Sequence, residues 1–340
     1  MNEKLDIEVI IPYSYFPYRA DYSLENFNIT LNEIEDIFNN EVFDFGDLLP
    51  KSKLVFKNIL NFDYSTHYKY LLIKDWGASN YCFVISLKTE LNVKHYHDSS
   101  NFTDAERKRY KSSLLKIFIS DYFIAIIYEL VLSANIARPG CFSVYKGAVF
   151  INDQKIEDTY SFSGVLGDAY DTLLKIRYPQ ICFLEIGIIR KWIKDNNINF
   201  LDSEKPANKL STAIYCLTYV CSDDLSSAEN LIYCMIALEA LYTKSHDNIT
   251  EQLNSKIQIY LGEINDYKKI IKNMYAIRSR FLHGDMPIKP IFLYGNTVTE
   301  SDYEDEIYDA LLISTRILIR TIQKMIIENR TELDFEYKLK

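Results

Sequence analysis

A change of hydrophobic period near residue 165 constrains this chain more than any other feature. From Asp168 onward apolar residues recur at helical spacing, and few strand signals survive to the C-terminus. The spacing predicts helices over 180–195, 207–220, 226–243, 250–261, 266–282 and 302–328. Ser226-Ser227-Ala228-Glu229 reads as a capping box, with Ser226 as N-cap and Glu229 three residues on. The last helix carries a basic row, Arg316, Arg320 and Lys324, spaced four apart and so on one face.

The first 165 residues mix two periods. Segments 5–12, 68–73, 81–87 and 142–151 are rich in β-branched and aromatic residues and read as strands, with Gly147 as a bend or bulge in the last. Asp75-Trp76-Gly77 and Asn152-Asp153 mark turns. Thr103-Asp104-Ala105-Glu106 has the polar cap and early acidic residues of a helix start. The amphipathic pattern that follows runs to about Ala137 and stops before Pro139-Gly140. The expected fold is an α+β N-terminal domain over 1–165 and an all-α helical bundle over 166–340.

Composition excludes several classes. Hydrophobic residues make up 48% and charged residues 25%, which is ordinary globular usage rather than that of a disordered chain. A formal charge of −9 does not suit a protein that coats duplex DNA by bulk charge, so a nucleic-acid role needs a local basic surface. The six cysteines, 82, 141, 182, 216, 221 and 234, form no CxxC pair and sit mostly in apolar runs, as core residues do. The N-terminus lacks a basic segment followed by an apolar one. The longest apolar run is read as 231–242, 12 residues interrupted by Glu239 and well short of the about 20 a spanning helix needs. These features lead to the expectation of a reduced, cytoplasmic protein with no membrane partner.

The segment richest in chemistry is Arg278-Ser279-Arg280-Phe281-Leu282-His283-Gly284. Gly284 suits the left-handed residue after a last helical turn, and Pro287 and Pro290 follow. His283 at that end lies beside carbonyl dipoles. Ser279 and His283 are four apart and share a face, while Arg278 lies about 7.5 Å along the axis from His283. The surrounding stretch is locally basic, with Lys268, Lys269, Lys272, Arg278 and Arg280 against Asp266 alone. Glu239 is the sole charged residue in 231–242, and a buried carboxylate requires a cationic partner; Arg278, Arg280 and His283 are the candidates. A structural ion pair tying two helices is the simplest role for Glu239.

Together with Ala237-Leu238-Glu239-Ala240-Leu241 and the stretch from Asn248 to Leu261, this ending resembles the Apea-like branch of the HEPN superfamily (higher eukaryotes and prokaryotes nucleotide-binding). That superfamily's signature is an Arg and a His with four to six residues between them, and Arg278 and His283 have four. The resemblance covers roughly residues 205 to 330. It implies a helical bundle that forms a homodimer, with two Arg/His sets in one cleft, and metal-independent endoribonuclease activity of the toxin, abortive-infection or antiviral-defence type. His283 would be the acid or base, Arg278 would stabilise the phosphate, and Ser279 would orient one of them, although Asn, Asp or His is commoner at its position. Arg280 and Glu239 would support the site, and Lys272, Arg316 and Arg320 are candidates for RNA contact. The implied partners are an RNA substrate and an inhibitor or sensor protein.

The alternative is a non-catalytic HEPN module that dimerises or binds a nucleotide in a defence or regulatory complex. In certain HEPN toxins a modified Tyr lies two residues after the His; here that position is Asp285. No cofactor is expected. His95-Tyr96-His97-Asp98 is the one cluster with metal-ligand character, in an otherwise ordinary polar loop, and no metal is assigned to it. His67 and His246 read as loop residues. Phosphate-loop, dinucleotide, zinc-protease and hydrolase-elbow motifs are lacking.

Overall fold

A computed structural model describes residues 3–14, 24–46, 49–62, 81–91, 104–162, 164–171, 178–201, 206, 208–222, 226–244, 248–262, 267–285 and 302–335. The strand expected at 68–73, His67, the cluster 95–98, His246, Pro287 and Pro290 lie outside them.

The central strand β1 (Glu3–Ser14) shows why a sheet forms. Its odd positions, Leu5, Ile7, Val9, Ile11 and Tyr13, enter the main core, while Ile10 enters a small cluster on the opposite face. Neighbouring strands repeat the alternation in register. Val9 pairs with Ile85 of β3 (Cys82–Leu91) on one side and Val149 of β5 (Ala148–Ile151) on the other, all three in the main core. Adding β2 (Val55–Ile59) and β6 (Gln154–Asp158) at the edges gives the antiparallel order β2-β3-β1-β5-β6. The short β4 (Ser143–Val144) pairs with the end of β1. The stretch read as one strand is thus two, parted at Gly147, where a Cβ would lie 1.9 Å from the Ile10 carbonyl oxygen. Asn152 and Asp153, both at positive φ, make the tight β5–β6 turn.

Among the described residues the helices of the first half are α1 (Leu24–Asn40) and α2 (Asp104–Ala137). After α3 (Val165–Asp171) come α4 (Ile186–Asp195), α5 (Lys209–Val220), α6 (Ser227–Tyr242), α7 (Ile249–Leu261), α8 (Tyr267–His283) and α9 (Asp302–Ile327). An antiparallel α+β part is therefore followed by a helical part. The capping box at Ser226 and Glu229 is formed on both sides. The helix expected over 180–195 begins only at Ile186. Residues 181–185 are not helical: the buried Gln323 side chain accepts from the Cys182 amide and donates to the Cys182 carbonyl, and the Leu184 amide bonds to the Ala137 carbonyl.

Within α2, Lys116–Ala137 is a 22-residue stretch of mean hydropathy 1.8, long and apolar enough to cross a membrane. It exceeds the run at 231–242, but 56% of it is buried inside the molecule and it packs as a core helix. One apolar cluster runs from Leu5 on β1 through α2 to Leu333 beyond α9. The change of period at 165 therefore marks a change in element type within a shared core.

Candidate active site on helix α8

Helix α8 turns Ile271, Met274 and Ile277 into the core and leaves Lys272, Ser279 and His283 exposed. Spacing places those three within about 40° of one another around the axis. The helix ends in a Schellman arrangement: the Asp285 amide reaches the Arg280 carbonyl at 2.9 Å and the Gly284 amide reaches the Phe281 carbonyl at 3.3 Å. Gly284 holds φ +76, so His283 stands at the C-cap.

Arg278 takes another direction, about 140° round the helix from His283. Its side chain is half-buried, with Nη2 3.5 Å from Glu239 Oε1 on α6. The same carboxylate oxygen accepts a hydrogen bond from the Tyr275 hydroxyl. The guanidinium carbon lies 5.6 Å from the centre of the Tyr275 ring, within cation–π range. Burial, then the hydrogen bond to Glu239 and its charge, push the Tyr275 hydroxyl well above its ordinary pKa. Arg278 Nε–H is buried and finds no acceptor among the described residues. A guanidinium has five donors, and an unpaired buried one calls for a ligand, ion or water.

Of the cations considered for Glu239, Arg278 is the one within ion-pair distance; Arg280 instead pairs with Glu306 of α9 at 3.2 Å. Tyr275 received no role from sequence, although it stands three residues before Arg278 and hence on the same side of the helix.

Of the two α9 residues expected to contact RNA, Arg316 and Arg320, the first is enclosed. Arg316 is 5% exposed and donates to the carbonyls of Pro179, Ala169 and Tyr170 at 3.0, 3.2 and 2.7 Å. Arg320 Nη1 is 3.1 Å from Cys182 Sγ, and Lys324 donates to the Tyr260 carbonyl and sits 4.4 Å from the centre of that ring. Arg316 turns inward because α9 is enclosed there by its neighbours, whereas Arg320 and Lys324 stay half-buried, one against the Cys182 sulfur and the other at the end of α7.

Among the described residues no group of three or more His, Cys, Asp and Glu could hold a metal ion. A cleft of about 570 Å³ between α1, α2 and α4 contains Arg190, Glu41 and Glu129 but no residue of α8. In chemical terms, α8 offers an exposed imidazole and hydroxyl, a flanking lysine, and a half-buried guanidinium with donors to spare. No protein-family model, curated protein or solved structure matches the chain.

Proposed function

We propose that this chain is a metal-independent endoribonuclease of the HEPN type, a cytoplasmic toxin or defence effector that works as a homodimer. The observation that carries the reading is Arg278, a half-buried guanidinium whose Nε–H has no partner among the described residues, one helical turn and a half from an exposed His283. Acid–base group and charge clamp need not touch each other; each must touch the substrate. RNA brings its own nucleophile, so the protein need only position it, move protons and stabilise phosphorane charge. The 2′-OH attacks phosphorus and the bond to O5′ breaks, leaving a 2′,3′-cyclic phosphate and a 5′-hydroxyl. One proton leaves the 2′-OH and one reaches O5′, and His283 handles one of these transfers. Arg278 takes the non-bridging oxygens. Ser279, on the face of His283, is placed to orient substrate, and Lys272 on the same face adds positive charge.

The test is cleavage of single-stranded RNA by purified protein in EDTA. We expect cyclic phosphate ends, and a loss of at least about 100-fold in rate for His283→Ala, the low end for general acid–base catalysis. Intact RNA under these conditions, including with candidate inhibitor or sensor proteins added, argues against the reading.

One observation favours the second reading, a non-catalytic dimerisation or nucleotide-binding module. Arg278 already has Glu239 beside it, as a structural ion pair would. Nucleotide or RNA binding that Arg278→Ala abolishes, with no cleavage at any stage, would establish that alternative.

A further inference from the structure

We propose that Tyr275 is a positioning residue that holds the Glu239 carboxylate back from Arg278, so that the guanidinium stays oriented yet can accept a phosphate; this rests on the ribonuclease reading above. A carboxylate facing an arginine unopposed forms two parallel hydrogen bonds of about 2.7–2.9 Å. Here the ion-pair distance is 3.5 Å, and the oxygen making it also accepts from the Tyr275 hydroxyl. The carboxylate is thus divided between a phenol and a cation. Tyr275 also meets the guanidinium directly, since its ring centre lies 5.6 Å from the Arg278 guanidinium carbon. The ring contact comes from the i, i+3 spacing on α8, and the hydroxyl reaches across to Glu239 on α6. The result is an arginine that is aimed but under-bonded, with Nε unpaired among the described residues. An incoming phosphodiester would supply the bidentate partner that Glu239 does not.

Without the hydroxyl, Glu239 closes on Arg278 and competes with phosphate. Tyr275→Phe keeps the ring and removes only that hydroxyl. A single-stranded 2′-O-methyl RNA oligonucleotide, which lacks the nucleophile, reports binding apart from chemistry. By fluorescence anisotropy we expect Tyr275→Phe to bind it about ten-fold more weakly, equivalent to about 1.4 kcal/mol. Adding Glu239→Gln to Tyr275→Phe removes the competing charge and should restore affinity to within about two-fold of wild type, a rescue that a packing role for Tyr275 would not give. Equal binding by wild type and Tyr275→Phe, or a double variant no tighter than Tyr275→Phe, overturns the proposal. Cleavage of unmodified RNA together with either of those outcomes leaves the ribonuclease reading standing alone. Tyr275-dependent binding without cleavage does the reverse; a wild type that binds no oligonucleotide overturns the proposal, and the ribonuclease reading with it when unmodified RNA also stays intact.

Discussion

Arg278 and Arg316 show how differently one residue type can be used. Arg316 is enclosed and donates to three carbonyls, whereas Arg278 is a quarter exposed with one long polar contact. A buried polar group left without its partner costs about 1–3 kcal/mol. Arg316→Met leaves three carbonyls wanting a donor and should lower unfolding free energy by about 3 kcal/mol in a urea titration. Because Arg316 faces inward, RNA affinity measured well below the melting point should stay within about two-fold of wild type. A stable Arg316→Met protein with weakened RNA binding would return Arg316 to the nucleic-acid surface. Sequence spacing could show that Arg316, Arg320 and Lys324 share a side of α9; it carried no information about what covers that side.

At the scale of elements, two helix starts make the same contrast. Helix α6 is capped by its own neighbours, Ser226 and Glu229, which sequence shows because the partners are three residues apart. Helix α4 has no side-chain cap from Glu185. Instead Glu33 of α1, far back in the chain, accepts from the Ile186 amide at 2.8 Å while its other oxygen pairs with the buried Arg138. That carboxylate supplies the negative charge favoured at a helix N-terminus. Glu33→Ala should therefore lose about 3 kcal/mol, the range for breaking a buried pair, far more than the about 1 kcal/mol for Ser226→Ala. Denaturant melts of both variants check the ranking; equal losses would mean that the Glu33 contacts contribute little. A second tie joins the same elements, with Arg190 of α4 meeting both Glu41 and Glu129.

Across the whole molecule these ties and the continuous apolar core join the sheet half to the helical half. Fragments 1–165 and 166–340 should each fail to give a cooperative thermal transition, while the full chain unfolds in one. A separately melting fragment, seen by circular dichroism, would show that a domain boundary exists after all. What the amino-acid order determined alone was whatever depends on near neighbours: the long α2, the α6 capping box, the glycine-ended α8 with Arg278, Ser279 and His283 at its close, and the alternation of β1. These rest on hydrogen bonds and side-chain spacings of a few residues, so the pattern is written locally. Tertiary structure decided what depends on distant partners: that residues 181–185 leave the helix for Gln323, that Arg316 of α9 turns inward, and that Tyr275 shares Glu239 with Arg278. Each of those outcomes depends on which surfaces meet when solvent is expelled, and residues far apart in sequence supply both sides of every such contact.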